Sequence, residues 1–416
     1  RRGVLPPSHE RGPMKPNGRP FTRCDAVAMF DEMVLWLAEH QVADRRHPHA
    51  GAVYFPTEDR FCNRDTACMA RAFMRQHART GDPAWRGRAA SARDYVLSVQ
   101  KPHGGFPELR GRAQSDDGST VNTAIIAANL VKVYELGLDC GPRDLEALAR
   151  MADFELTLEW RPGAFYHDLN HLRAFVEDPA TGRLAWGDEG SHRDCQNTTA
   201  LAAMMLPRIH AFLASRDGRP KAAWLDAAAR ARRHLLEGQD SDGQWPYYRG
   251  ASWRDAGHHA MCLHYLAEAS CAADAGKEPA VRAALRRGGR WLAEVPLLQT
   301  RRGTKIDWAA SSSACLYFTT EYFFIAAAFA WLATADARAG ARWRHEALEL
   351  LRYVRNALWD NENRREEGPY RLTEAGIKLG YAWFGQSMGW CLYTLDEVIE
   401  QCGWWPRGRT GRRVTA

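Results

Sequence analysis

The sequence predicts an all-α fold, an (α/α)6 toroid of six helical hairpins in which six inner helices are ringed by six outer ones. Three observations predict it: an internal repeat, an alternation of amphipathic and apolar helical segments, and long loops between alternate helices. Internal self-similarity of this kind is typical of stacked supersecondary units. We expect the toroid to span residues 23–402, between an extended N-terminal arm (1–22) and a basic C-terminal tail (403–416).

The internal repeat is a loop motif of the form Gln-x-x-x-Gly-x-aromatic-Pro. It occupies residues 100–107 and recurs 139 positions later at residues 239–246. Each copy follows an Arg/Ala-rich helical segment and precedes an apolar one. We expect Phe106 and Trp245 to fill the space between adjacent hairpins, because a shared position in a repeat indicates a shared packing role.

Twelve helical segments are expected, and the two members of each hairpin differ in character. The first is amphipathic and charged, whereas the second is apolar almost all round. A helix that is apolar on all sides is buried, so the second helix of each pair belongs inside the ring. An open solenoid of six hairpins is the alternative architecture. The expected outer helices are 24–43, 83–100, 143–159, 220–238, 278–295 and 341–358, and the inner ones are 64–80, 122–137, 197–216, 256–275, 320–339 and 384–400.

The loops that lead from outer to inner helices are long, whereas the return turns are short. Long loops within a compact domain are usually functional or disordered, and here all six would emerge on one rim, over the N-termini of the inner helices. Helix N-termini carry positive dipole ends that favour an anionic or hydroxyl-rich ligand. Strand signals are weak, although 247–248 and 316–318 could form short ribbons. The long loops are 44–63, 101–121, 160–196, 239–255, 296–319 and 359–383.

Composition argues against several classes of protein. The net charge of +6 comes from scattered Lys and Arg residues, without the basic stripe of a nucleic-acid-binding protein. No apolar run reaches the roughly 18–20 residues of a transmembrane segment. The ten cysteines form no CxxC pair and several lie in apolar helical runs, which favours a reducing, cytoplasmic setting. The oligomeric state stays open.

Neither a metal site nor a cofactor is expected. His258 and Cys262 are four residues apart, and so are His167 and His171. Neither pair has a convincing third and fourth ligand, which a zinc site needs.

Three inner helices, at 63–67, 121–124 and 196–200, begin with sequences rich in Asn, Asp and Thr, which are preferred N-cap residues. Capping does not explain His258 and His259, because His is a poor cap, and His is the side chain that titrates near neutral pH. Together with Tyr248 and Arg254 from the preceding loop, they form the predicted catalytic set.

The predicted substrate-binding residues lie at the inner-helix starts and in the long loops. Trp and Tyr present flat apolar faces to sugar rings or prenyl chains, and Arg pairs with carboxylates through two hydrogen bonds. The set comprises Arg64, Asp65, Asp117, Asn122, Tyr166, His167, Asn197, Trp253, Lys305, Tyr322 and Trp383.

The Gln-x-x-x-Gly-x-aromatic loops resemble the repeats of squalene-hopene cyclases and class II terpene cyclases, which are also α/α toroids. The acid of those enzymes lies in an Asp-x-Asp-Asp-Thr-Ala motif at the start of an inner helix. The nearest match here is 62–67, in which Arg64 occupies the position of the proton-donating Asp and Asp65 is the one Asp that remains. Protein prenyltransferase β-chains share the toroid, but their Asp, Cys and His zinc set is not evident.

The Pro that ends each repeat makes 104–107 and 243–246 more similar to the Gly-Gly-Trp-Pro motif of toroidal carbohydrate-active enzymes. Toroidal pectate lyases and the helical domain of glucuronyl C5-epimerases carry such motifs. The resemblance implies an α/α toroid and uronic-acid chemistry, and it assigns no catalytic residue.

The leading hypothesis is therefore a carbohydrate-active enzyme that holds an acidic, uronate-containing saccharide, or another anionic small molecule, in a rim cleft. Lyase or epimerase chemistry needs a group that neutralises the carboxylate and a base that removes the C5 proton. Arg254, Arg64 and Asn122 are the candidate neutralising groups, and the candidate acid and base are His258, His259 and Tyr248. One alternative is an isoprenoid cyclase or prenyl-transferring toroid with an apolar central cavity. The other is a non-catalytic scaffold with a filled or weakly polar centre.

Overall fold

The computed structural model describes residues 19–55, 60–106, 118–167, 194–216, 218–250, 254–272, 278–307, 310–311, 318–358 and 381–405. For Arg60, Ala272, 318–319 and 381–387 it describes the backbone alone. This part of the chain forms twelve helices: α1 (Arg23–Glu39), α2 (Asn63–Thr80), α3 (Pro83–Ser98), α4 (Thr120–Glu135), α5 (Pro142–Thr157), α6 (Gln196–Ala214), α7 (Ala222–Gly238), α8 (Ala256–Ala272), α9 (Pro279–Glu294), α10 (Phe318–Ala335), α11 (Gly340–Tyr353) and α12 (Tyr381–Gln401).

The even-numbered helices form a closed inner ring. Each packs against the next in the order α2, α4, α6, α8, α10 and α12, and α12 packs back against α2. The odd-numbered helices lie outside this ring. The contact between α12 and α2 closes the toroid and excludes the open solenoid, so the predicted fold is confirmed.

The inner helices are buried because the outer layer covers them and their neighbours flank them. In α4 every residue from Thr120 to Val131 is buried. Burying one Leu or Ile side chain contributes about 1.5–3 kcal/mol, so the apolar inner helices supply much of the stability. The short return turns fit their sequences: after α2, Gly81 adopts φ +75°, and Asp82 Oδ1 accepts the Ala84 N–H at 2.9 Å to begin α3.

Three short antiparallel hairpins accompany the described helices. They are β1–β2 (Tyr54–Phe55 and Arg60–Phe61), β3–β4 (Glu159–Arg161 and Ala164–Phe165) and β5–β6 (Leu297–Thr300 and Gly303–Ile306). The predicted ribbon at 247–248 does not form, because Tyr248 makes only a single bridge to Cys195. Of the segment 316–318, Phe318 belongs to α10. Leu316 and Tyr317 lie outside the described residues.

The Gln-x-x-x-Gly loops fasten each hairpin to the next outer helix. Gln100 Nε2 donates to the Gly104 carbonyl (2.9 Å) and to the Ala147 carbonyl on α5 (3.0 Å), and Arg150 donates back to Gln100. Gly104 has φ +99° and lies so close to the Arg150 carbonyl that a Cβ would be 2.1 Å from its oxygen. The second copy repeats these contacts through Gln239, Gly243, Ala284 and Arg287.

A second recurring contact ties each described loop to the inner helix that follows it. One backbone N–H of the loop donates to a side chain on the first turn of that helix. Phe106 N–H, for example, donates to Thr123 Oγ1 at 3.1 Å. We call the accepting side chains the clip residues; they are Thr66, Thr123, Thr199, His259 and Tyr322, and their donors are Val53, Phe106, Phe165, Trp245 and Ile306.

The packed body extends slightly beyond the last helix. Trp404 contacts Phe21, and Trp405 packs edge-on against Phe30 on α1 with ring centroids 4.9 Å apart. These contacts bring both ends of the described chain together beside α1.

Candidate active site

The described N-termini of the inner helices meet at one rim of the ring. Ser119 caps α4, and its hydroxyl accepts the backbone N–H of Asn122. Tyr166 and His167 also lie at this rim, because their carbonyl groups accept hydrogen bonds from Thr120, the first residue of α4. Tyr248 bridges to Cys195 at the start of the adjacent helix α6. Loops from different hairpins therefore share one rim, as the sequence predicts.

His258 is held on the first turn of α8 by Asp255. Asp255 Oδ1 accepts the His258 backbone N–H at 3.0 Å, and Oδ2 lies 2.7 Å from Nδ1 of the imidazole. Both side chains are buried, to 6% and 1% exposure. An ionised carboxylate can only accept hydrogen bonds, so the proton of the neutral imidazole is on Nδ1 and Nε2 becomes the basic nitrogen.

Residues at the start of α6 and in the loop before α8 surround the Asp255–His258 pair. The Tyr247 ring lies 3.9 Å from the His258 ring between centroids. Cys195 donates to Asn197 Oδ1 at 2.7 Å, and Asn197 Nδ2 approaches Met261 Sδ on α8 at 3.7 Å. Burial raises the pKa of the Cys195 thiol to about 11, although the nearby His258 lowers it, so this thiol is protonated at neutral pH.

Arg64 approaches the same rim from the opposite side of the ring. It lies on α2, which is three places from α8 in the closed ring of six. Its guanidinium lies over the Trp390 ring on α12, 4.2 Å from the centroid, and donates to Asn122 Oδ1 on α4 at 3.3 Å. Helices α2, α4 and α12 therefore meet around Arg64.

Two further carboxyl groups are buried at the first turns of inner helices. Asp65 packs against Gly389 of α12, and Glu321 of α10 packs against Gly257 of α8. A Cβ at either glycine would lie under 3 Å from the carboxyl side chain, at 2.4 Å for Asp65 and 2.8 Å for Glu321. Each glycine therefore makes room for an acid between two neighbouring inner helices.

Beneath the rim the ring centre is polar. Tyr265 and Tyr393 are fully buried there, and His264 stacks on Tyr265. Burial lowers the pKa of His264 to about 3, so this imidazole is neutral. Further down, the middle and C-terminal turns of α2, α4, α6, α8 and α12 carry the basal network, which we define as Arg71, Arg75, Lys132, Arg208, Glu268, Asp396, Glu397 and Glu400.

His259 does not join His258 in the cleft. It is fully buried, its Nδ1 accepts the Trp245 backbone N–H at 2.9 Å, and its Nε2 donates to the Gly288 carbonyl at 2.9 Å. Burial lowers its pKa to about 4, so it stays neutral. Through these two bonds His259 holds the loop 239–255 and α9 against α8, and Thr123 holds the loop of the matched repeat in the same way.

Other predicted site residues lie in different surroundings. Tyr322 uses its hydroxyl as a clip and stacks on Tyr353, and Arg254 is exposed. Lys305 lies on β6, whose hairpin packs against α11 through Gly303. Asp117 and Trp253 fall outside the described residues, as does the Trp383 side chain.

Several residues around the Asp255–His258 pair and Arg64 were not predicted from the sequence. Asp255 could have been found, because an Asp three residues before His258 at a helix start is an N-cap signature. Glu321, Trp390 and Tyr247 carry no such local signal. Their position depends on which inner helices become neighbours when the ring closes.

The described residues contain no group of three or more His, Cys, Asp or Glu side chains arranged to hold a metal ion. In the same part of the chain, no helix has both the length and the apolar character needed to cross a membrane.

Comparison with known proteins identifies the fold. No protein-family model matches the sequence, and no curated protein matches it either. Among solved structures, the chain is similar to cellobiose 2-epimerase from Bacillus thermoamylovorans (TM-score 0.61, 11% identity, 89% of this chain and 99% of that one). It is also similar to an unsaturated glucuronyl hydrolase from Streptococcus agalactiae (TM-score 0.57, 10% identity, 96% of this chain and 97% of that one). A family 76 glycoside hydrolase from a bovine Bacteroides thetaiotaomicron strain aligns with it as well (TM-score 0.61, 10% identity, 90% of this chain and 78% of that one). At these identities the likeness establishes a shared α/α toroid.

Proposed function

We propose that this protein is a carbohydrate-active enzyme that binds a uronate-containing saccharide at the rim and removes a proton from it. The observation that carries the proposal is the Asp255–His258 pair on the first turn of α8, together with Arg64 on the first turn of α2, three places away in the ring. The structural neighbours named above act on saccharides according to their names, and a glucuronyl substrate is among them. This likeness supports the saccharide class, and the residues support the chemistry.

In the proposed reaction His258 is the base. Asp255 keeps the proton on Nδ1, so Nε2 accepts the proton from C5 of the uronate, and the C–H electron pair moves toward the carboxylate. Arg64 pairs with that carboxylate, which stabilises the charge that develops there. An epimerase then returns a proton to the opposite face of C5. A lyase instead expels the C4 substituent as an alcohol, which takes up a proton. Tyr248 and Tyr247 are the nearby candidate acids.

The isoprenoid alternative needs an apolar, aromatic-lined cavity at the ring centre. The described centre instead contains His264 and the Tyr265 and Tyr393 hydroxyls, and the basal network lies below them. A prenyl chain gains little from such surroundings, because buried polar groups lose hydrogen bonds next to hydrocarbon. The polar centre therefore favours the saccharide.

The decisive experiment measures turnover and binding of oligouronates, neutral oligosaccharides and prenyl diphosphates at two salt concentrations. Oligouronate binding should weaken as salt rises, because charges in a solvated cleft are screened beyond a Debye length of about 8–10 Å. His258→Gln should abolish oligouronate turnover. Arg64→Met and Arg254→Ala should weaken oligouronate binding, while Arg342→Met, at an exposed site on α11, should not. Turnover of prenyl diphosphates alone would refute the proposal.

A further inference from the structure

A separate cavity of about 380 Å³ lies at the outer edge of the rim, between the end of α1 and the β1–β2 hairpin. Its walls include Glu39, His40, His47, Tyr54 and Phe61. Its size falls within the range of about 300–1,000 Å³ that is typical of small-molecule sites. None of these residues belongs to the Asp255–His258 cleft.

One wall of the cavity is an aromatic platform. Tyr54 and Phe61 are directly opposite each other in the β1–β2 ladder, so their side chains lie on the same face of the hairpin. Their ring centroids are 5.3 Å apart, and His49 stacks on Phe61 at 4.2 Å. The two ring planes are inclined by 47° to each other, so together they form an apolar corner for the C–H face of a pyranose.

The opposite walls supply hydrogen-bonding groups of both kinds. His40 Nδ1 donates to the Trp36 carbonyl at 2.7 Å, which makes its Nε2 an acceptor. His47 Nδ1 accepts the His49 backbone N–H at 3.1 Å, which makes its Nε2 a donor. The Glu39 carboxylate is exposed beside them and accepts hydrogen bonds from hydroxyl groups.

This combination selects a neutral sugar. Hydroxyl groups both donate and accept, and they match the histidine nitrogens and the carboxylate. A uronate carboxylate would instead be repelled by Glu39, in contrast to the rim cleft, where Arg64 supplies positive charge. Phe61 precedes Arg64 by three residues, so the two are at most about 10 Å of backbone apart.

We infer that the cavity bounded by Tyr54, Phe61, His40, His47 and Glu39 is a second saccharide subsite, which binds a neutral pyranose unit next to the cleft. The inference rests on the proposed saccharide function, although it concerns a different pocket. A chain that places a uronate at Arg64 would extend outward over the Tyr54–Phe61 platform.

The test uses NMR of the full chain labelled with ¹³C in its histidine rings, titrated separately with methyl β-D-glucoside and methyl β-D-glucuronide. We expect the glucoside to shift the His40 and His47 signals saturably, and the glucuronide to shift them less. His47→Ala should weaken glucoside binding, read from His40, by about 2- to 10-fold, the effect of losing one hydrogen bond. His345, exposed on α11, is the internal reference, and His345→Ala is the matched control.

A His258→Gln protein separates the two proposals. Glucoside shifts at His40 and His47 should persist in it, because the subsite does not include His258. Glycosides that perturb His258 in the wild-type protein, but leave His40 and His47 unchanged, would overturn the subsite and keep the proposed function. Unchanged signals at all three histidines with both glycosides would overturn both. Equal shifts at His40 and His47 with both glycosides would contradict the selection for a neutral sugar.

Discussion

Asp255 determines which nitrogen of His258 carries the proton. Its two carboxylate oxygens accept separately from the His258 backbone N–H and from Nδ1, so one residue both begins α8 and orients the imidazole. A helix cap alone would need only the first of these bonds. The second bond gives Asp255 a role in the proposed chemistry, in which it acts through His258.

Asp255→Asn tests that role. The amide oxygen can still cap the helix, but an amide N–H facing Nδ1 would place the imidazole proton on Nε2, where it blocks proton abstraction. We expect turnover of oligouronates to fall by about 10²–10⁴-fold, the range for loss of general base catalysis, with little change in thermal unfolding. Asp94→Asn on α3, where the side chain is 59% exposed, is the matched control. Unchanged turnover in Asp255→Asn would exclude His258 as the base.

The sequence predicted part of this cleft because some of the side chains carry a local signal. His258 was noticeable as a poor cap at a position where three other inner helices use Asn, Asp or Thr. Its neighbour His259 had the same signal but serves as a clip, since it takes the place of Thr123 in the repeat. Trp390 and Glu321 were missed because contact between distant helices, rather than local sequence, brings them to the rim.

At the level of the elements, the clip residues explain why the inner helices begin as they do. Thr66, Thr123 and Thr199 look like cap residues in the sequence, yet their hydroxyls accept an N–H from the preceding loop. A buried backbone N–H without a partner is costly. Each clip therefore fixes the loop across the helix start, and so positions the rim.

Thr123→Val should show that cost directly. Valine has nearly the same shape, but it leaves the Phe106 N–H, which is buried, without its acceptor. We expect the free energy of unfolding in urea to fall by about 1–3 kcal/mol. Thr157→Val, at an exposed position near the end of α5, should change it by less than about 0.5 kcal/mol. Equal effects at the two positions would mean that the Phe106–Thr123 bond contributes nothing specific.

Helix positions were predictable because the alternation of amphipathic and apolar segments is strong. Only some of the loop contacts could be predicted from the sequence. The Gln-x-x-x-Gly spacing marks two copies, but Gln41 makes the equivalent bonds to Gly51 and Arg88 across a ten-residue gap. In the loop between α5 and α6, Glu159 takes the place of the Gln and pairs with Arg230. The same geometry survives changes of spacing and residue type, which a search for sequence repeats does not detect.

At the scale of the whole molecule, the basal network, together with Trp331 and Glu135, connects all six inner helices; Arg208 lies 3.9 Å from Glu135 of α4, which joins α6 and α8 to the others. Arg71 of α2 donates to Asp396 of α12 at 2.6 Å, and Arg208 of α6 donates to Glu268 of α8 at 2.6 Å. Lys132 links α4 to α12 through Glu400, and the Trp331 indole links α10 to α12 through Glu397. The network therefore closes the end of the ring that lies opposite the rim.

Removing one cation from this network should destabilise the ring. Arg71 is 1% exposed and contacts Asp396 and Glu397, which are also buried. Arg71→Met removes the cation that pairs with Glu397 and leaves Asp396 paired with Arg75, so we expect a loss of about 3–5 kcal/mol in the free energy of unfolding. Arg342→Met, which removes an exposed pair with Glu294, should cost less than about 1 kcal/mol. A loss of similar size in both variants would contradict a specific role of the network in ring closure.

The network also sets the pH dependence of stability. Burial raises the pKa of Glu268 to about 7, with Arg208, Arg71 and Lys132 opposing the shift and Glu397 reinforcing it; His264 Nε2 lies 3.6 Å from its Oε2. The unfolded group titrates near its ordinary value of 4.5. The folded chain thus binds the proton more tightly, and this contribution to stability is lost as the pH rises through about 7.

The buried histidines act in the opposite direction at lower pH. Burial lowers the pKa of His259 to about 4 and that of His264 to about 3, so both bind protons more readily when unfolded and cost stability as the pH falls below about 6.5. The part due to Glu268 is isolated by comparing the wild-type protein with Glu268→Gln, because the buried histidines, and the buried thiols whose pKa values burial raises, titrate in both proteins. We expect the free energy of unfolding of the wild-type protein in urea to fall by about 1 kcal/mol relative to that of Glu268→Gln between pH 6.5 and pH 8.5. Relative to Glu146→Gln, a variant at an exposed site on α5, it should not change. Parallel pH profiles of the wild-type protein and Glu268→Gln would assign the titration to another group of the ring.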